Sequence, residues 1–84
     1  MALVQQDVIA RLRRFIVEQV LGREEKLEDD TPLLDGGHLT SLHTLDLVAF
    51  INEEYGVEID PEEIDEEHFA SLRTISELVC SKAR

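Results

Sequence analysis

The spacing of apolar residues predicts an all-α fold. Three stretches repeat them every three to four residues, and the one extended-looking piece, Val57–Glu58–Ile59, is three residues long. The expected architecture is a helical bundle of three longer helices and one short one, with a long first connection. Residues 3–21 place Val4, Val8, Leu12, Phe15, Ile16 and Val20 along one face of a first helix. Arg11, Arg14 and Glu18 lie opposite, and Gly22 is a plausible C-terminal stop.

Residues 22–40 contain Pro32, Gly36 and Gly37 and read as a connection. Nineteen residues is long for a structureless link in a small domain. Leu27, Leu33, Leu34 and Leu39 are expected to pin it to the core. A second helix is predicted over residues 41–55, with Ser41 at or near its N-cap. On a helical wheel Leu45, Val48, Ile51 and Tyr55 fall on one side. His43, Asp46, Phe50, Glu53 and Glu54 fall on the other, with Leu42, Leu47 and Ala49 between. Phe50 is then an apolar residue on an acidic face. Asp60–Pro61 signals a short third helix over about 61–67, and Ser71 starts a last helix over 72–82. Leu72, Ile75, Leu78 and Val79 are its inward positions.

The chain has 84 residues, which is room for one domain spanning 1–84 and not for a large cavity between two lobes. Its net charge is −11, so a nucleic-acid partner, which needs a basic face, is excluded. The charge is unevenly placed. Residues 27–72 hold fourteen acids and no Lys or Arg, while five of the eight basic residues precede position 27. Such a surface steers basic partners. One cysteine cannot form an internal disulfide, and no segment resembles a signal peptide or a membrane span. The expected compartment is the cytoplasm, and the expected state a monomer.

Catalytic and metal chemistry find little support. His38, His43 and His68 match no zinc spacing, and Cys80 has no partner cysteine and sits among apolar residues. With Gly36 as the sixth residue of a calcium loop, the first, third and twelfth would be Thr31, Leu33 and Leu42, which cannot serve. His38 precedes Ser41 in the loop, but no third group orients it, so a serine-hydrolase arrangement is not formed. No metal site and no catalytic residue are expected.

One region stands out. In LLDGGHLTSLHTLDLVAFINEEYGVEI, residues 33–59, a Gly-containing loop delivers Ser41 to the start of an amphipathic helix. An anion is favoured there by free amides and the helix dipole. From spacing alone, Ser41 as a simple N-cap remains the plainer reading.

The same stretch resembles the modification site of acyl carrier proteins and the related peptidyl carriers. Discrete carriers often read like LLDSGxxDSL, followed by an apolar-acidic helix that ends in EE, an aromatic residue and a short apolar piece. Here the residues are LLDGGHLTSL and then HTLDLVAFINEEYGVEI without a gap. The resemblance continues through DPEEIDEEHFASLRTISELV and covers essentially the whole chain. It implies the acyl-carrier four-helix bundle. It also implies that a phosphopantetheinyl transferase moves 4′-phosphopantetheine from coenzyme A onto Ser41 Oγ. The arm's thiol then holds an acyl or aminoacyl group as a thioester for loading and tailoring enzymes, and the chain itself is not an enzyme. By position, Leu42, His43, Leu45, Asp46, Ala49, Phe50 and Glu53 form the partner-recognition surface, with Phe50 as an anchor. Two positions depart from the family. Thr40 stands where Asp usually precedes the serine, and His43 replaces a commonly acidic residue. These departures favour a carrier of polyketide or nonribosomal peptide assembly over one of fatty-acid synthesis. The alternative of another class is a small acidic helical adaptor without a prosthetic group.

Overall fold

The structure is a computed structural model. Residues 4–22, 26–37 and 39–83 are described, Ser41 by its backbone alone. His38, Arg23 and Arg84 lie outside the described residues.

The described residues form three α-helices and contain no strand. Helix α1 spans Gln5–Phe15 and continues as a π-helical stretch, Ile16–Leu21. It stops at Gly22, whose φ of 66° is the left-handed conformation that glycine adopts without strain. Helix α2 spans Ser41–Tyr55 and α3 spans Leu72–Lys82. Ser71 and Thr74 cap α3 reciprocally. The Ser71 amide donates to Thr74 Oγ1 at 3.0 Å, and the Thr74 amide donates to Ser71 Oγ at 3.3 Å. Such a box satisfies two amides that the helix itself leaves free.

The expected short third helix over 61–67 is instead a single 3-10 turn, Pro61–Glu63. Its end has a local cause. Ile64 adopts φ −87°, ψ 78°, outside the helical region, and a separate turn then opens at Asp65. Asp65 Oδ1 accepts the His68 amide at 2.7 Å, and the Asp65 carbonyl accepts the Phe69 amide at 3.0 Å. That turn buries Phe69 completely.

α1 packs directly on α3. Val8, Ile9 and Leu12 of α1 and Ile16 of the π-helical stretch meet the core that Leu72, Ile75, Leu78 and Val79 of α3 also fill. Leu47 and Ile51 come from α2, and Leu27, Leu33 and Leu39 from the first connection. The loop leucines therefore pin that connection, as expected, although Leu34 is only half-buried. Polar contacts add to the anchoring. Arg13 Nε donates to the Leu27 carbonyl at 2.7 Å and its Nη2 to Asp29 at 2.6 Å. The Arg73 amide donates to the Asp29 carbonyl at 2.9 Å, and Arg73 Nε pairs with Asp30 at 2.8 Å.

The helical wheel of α2 needs correction. Its buried positions are Thr44, Leu47 and Ile51, with Val48 and Tyr55 half-buried. Leu45, expected on the inward side, is 57% exposed. Leu47 is fully buried beside Ile51 and Phe50 turns to Phe15 of α1, which leaves Leu45 outside the inward face. Phe50 is not a free side chain on the acidic face. It is half-buried and stacks on Phe15 with ring centroids 4.4 Å apart.

Candidate functional site

The loop before α2 is closed on itself. The Leu39 amide donates to the Leu33 carbonyl at 3.0 Å, and both side chains are buried. Between them the Gly37 amide donates to the Leu34 carbonyl at 3.2 Å, with Gly37 at φ 77°. A side chain there is disfavoured by backbone geometry, so the glycine has a structural reason. The Leu33 amide donates to the Ala70 carbonyl at 2.8 Å and ties the loop to the segment before α3. These contacts fix the point at which α2 begins.

Thr40, extended at φ −104°, ψ 172°, is the N-cap residue, so Ser41 is the first helical residue and not the cap. His43, at the third helical position, turns back. Its Nδ1 accepts the Thr40 amide at 3.1 Å, and its own amide donates to the Thr40 carbonyl at 3.0 Å. The sequence reading missed this cap, since the third position of such a box is ordinarily Glu or Gln. The Thr-x-x-His spacing was its only signal.

Beyond Ser41 the outer side of α2 is open. Leu42 is 74% exposed, and Leu45, Asp46, Ala49 and Glu53 are exposed as well. Of the residues expected on the recognition surface, the structure thus brings Leu42, Leu45, Asp46, Ala49 and Glu53 to the surface of one helix. His43 is half-buried at its start, and Phe50 is turned against α1.

The carboxylates divide into two groups. Arg11 pairs with Glu54, Arg14 with Glu18 at 3.3 Å, and Lys82 with Glu63 at 2.6 Å. Asp46 and Glu53 enter no ion pair among the described residues. The Glu63 carboxyl is held below its ordinary range by the Lys82 ammonium and the Asp60 amide. Asp65 is held low by the His68 amide and ring. Neither group lies at the helix start, so these shifts belong to the fold and not to reaction chemistry.

The positions around Ser41 suit a large covalent group, because Thr40, Leu42 and Leu45 beside it are exposed and leave the helix start uncovered. No helix among the described residues is long and apolar enough to cross a membrane. Comparison with known proteins gives the family. A chain in a crystal structure described as that of a FAD-dependent dehydrogenase is 40% identical, with a TM-score of 0.71. The match covers 79% of this chain and 94% of that one. The family model for the phosphopantetheine attachment site matches residues 11–79. The chain therefore belongs to the phosphopantetheine-attachment family, the acyl and peptidyl carriers, which bear 4′-phosphopantetheine covalently and pass between a phosphopantetheinyl transferase and biosynthetic enzymes.

Proposed function

We propose that Ser41 is the attachment residue and that the chain is a non-catalytic carrier of acyl or aminoacyl thioesters. One observation carries the assignment of the residue. The sequence has four serines, and the other three are unsuited. Ser71 is buried and accepts the Thr74 amide. Ser76 is fully buried and donates to the Arg73 carbonyl at 2.8 Å. Ser81 lies beyond the matched residues 11–79. Ser41 lies within them, at the first position of an uncovered helix.

In the transferase reaction Ser41 Oγ loses its proton and bonds the β-phosphorus of coenzyme A, and adenosine 3′,5′-bisphosphate leaves. The arm supplies a thiol that holds cargo as a thioester. The chain's own residues then present it. Leu42 and Leu45 offer apolar contact one turn apart, and Asp46 and Glu53 offer carboxylates with no ion pair among the described residues to complement a basic patch. Such binding weakens with salt, which suits a carrier that must release each partner. Thr40 and His43 in place of acidic residues support polyketide or nonribosomal peptide assembly over fatty-acid synthesis. The test is mass gain with coenzyme A and a broad-specificity transferase, compared with Ser41→Ala.

The size of the matched chain supports a particular partner. Since 79% of these 84 residues covers 94% of it, that chain has about 70 residues. This is carrier size and too small to enclose a flavin dinucleotide, whose binding folds are built from repeated βαβ units. The matched chain is thus of carrier size, in a crystal structure described as that of a FAD-dependent dehydrogenase. By this reading, a FAD-dependent dehydrogenase is among the partners of the present chain and oxidises cargo on the arm. Two hydrogens leave the cargo, one as hydride to the flavin and one as a proton. Mixing the loaded chain with that dehydrogenase should bleach the oxidised-flavin absorbance, and the unloaded chain should not. Bleaching by neither form would remove the dehydrogenase from the scheme.

A further inference from the structure

We infer that the docking surface for the transferase does not end on α2 but continues across the α1–α2 groove onto Arg11 and Arg14. The partner face that fits it carries an acidic side chain beside its basic patch. This extends the carrier reading and rests on it. Area gives the first reason. A specific interface covers about 800 Å² on each side. The outward side of α2, about 22 Å long and about 10 Å wide, is too small to supply that alone. Asp46 and Glu53 flank Phe50 at i−4 and i+3, so a partner that covers both carboxylates lies over Phe50 as well. Phe50 stacks on Phe15, and this half-buried ring pair lines an open groove of about 420 Å³ between the two helices.

The α1 side of that groove holds two guanidiniums. Arg11 reaches across to Glu54 of α2, and Arg14 lies one turn farther along α1. Arg14 pairs with Glu18 of its own helix at 3.3 Å, and its side chain is 79% exposed. That pairing uses Nε, and a guanidinium carries further donors on both terminal nitrogens. Glu54 and Glu18 balance the two charges in sum, so the α1 side offers directed N–H donors and not a net charge. The surface thus changes character across the ring pair. Asp46 and Glu53 are acceptors only, and Arg11 and Arg14 are donors only. A partner face built of donors alone satisfies the α2 side and meets repulsion at the α1 side. One acidic side chain placed there accepts from Arg14 and fixes the sideways register of the complex. Apolar atoms between the two charged edges cover Phe15 and Phe50, since aromatic residues carry a large share of binding energy at interfaces.

The sign of a charge reversal tests this. The native chain, Arg14→Glu, Arg14→Gln and Lys26→Glu are each loaded by the broad-specificity transferase, with KM and kcat measured for each. Lys26 is 88% exposed and outside this groove, so its reversal changes the net charge by the same amount at another place. If the partner face is basic throughout, both reversals strengthen the acidic field and lower KM. The expected result is a KM raised about two- to fivefold in Arg14→Glu, less in Arg14→Gln, with KM in Lys26→Glu unchanged or lowered. Titration of the native apo chain with transferase should also shift the ring resonances of Phe15 and Phe50. A lowered or unchanged KM in Arg14→Glu overturns the inference and leaves the carrier reading intact. Should Arg14→Glu fail to fold, Arg14→Gln and the ring resonances decide. Two other occupants of the groove have their own signatures, and either overturns the inference. Ring shifts on loading without the transferase assign the groove to the cargo arm. A concentration-dependent dimer of the chain alone, lost in Arg14→Glu, assigns it to a second copy. Absence of loading of the native chain removes the carrier reading and the inference together.

Discussion

The Phe50 ring stacks on Phe15 at 4.4 Å between centroids and 23° between planes. This contact joins α2 to the end of α1, and the Arg11–Glu54 pair reinforces it one turn farther along α2. Phe50→Ala should therefore act on stability. A half-buried aromatic of this kind is worth about 2 kcal/mol, below the 3–5 kcal/mol of a fully buried one. Urea unfolding of Phe15→Ala, Phe50→Ala and the double variant checks it. A coupling of about 1 kcal/mol is expected between the two rings.

Leu42 and Leu45 should behave in the opposite way. Both are exposed, so Leu42→Ala and Leu45→Ala should leave unfolding within about 0.5 kcal/mol of native. Their effect should fall on partners, as a raised KM for the transferase. Asp46→Lys should raise KM further and flatten its dependence on salt. Transferase kinetics at two ionic strengths read both.

Arg13 ties α1 to the first connection through the Leu27 carbonyl and Asp29. Arg13→Gln should cost about 1 kcal/mol, since the guanidinium is only partly buried. Hydrogen exchange should rise across residues 27–33, because their backbone is held by the same anchors.

The pH profile follows from three groups. The Glu63 carboxyl lies below its ordinary value because Lys82 donates to it and the Asp60 amide adds to this. Its contribution is present above the unfolded value of about 4.3 and is lost as pH falls through the folded one. Lys82 is raised by the same bond, so its contribution is present below about 10.4 and is lost as pH rises through the folded value. Tyr55 is raised by burial, with Arg11 opposing, and fades on the same alkaline side. Stability should be flat between about pH 5 and 9 and fall on both sides. Lys82→Met should shallow the acid limb, measured by the melting temperature against pH.

Much of the fold could be read from the sequence. Helix α2 begins and ends at the expected residues, and Ser71 caps α3 as its position suggests. These ends were legible because serine, glycine and proline signals act locally. The turn at Pro61–Glu63 was overestimated for the opposite reason. Asp60–Pro61 marks a start, but the stop comes from burying Phe69 and bending at Ile64, which is tertiary. The site was legible in part. The start of α2 at Ser41 and the exposure of Leu42, Asp46, Ala49 and Glu53 follow from spacing and resemblance. The outward turn of Leu45 and the inward turn of Phe50 depend on which neighbours α2 meets, and no local signal records them. The His43 cap has no strong local signal, because histidine is an uncommon partner in such a box.

The central claim is that this chain takes one phosphopantetheine group on Ser41. Intact mass measured after incubation with coenzyme A, magnesium and a broad-specificity transferase tests it most directly. The account predicts gain of one group by the native chain and none by Ser41→Ala. If native protein gains nothing, Thr40→Asp restores the residue the family usually carries there, and gain by that variant would assign the chain a dedicated transferase. No gain by either, or equal gain by Ser41→Ala, would contradict the account.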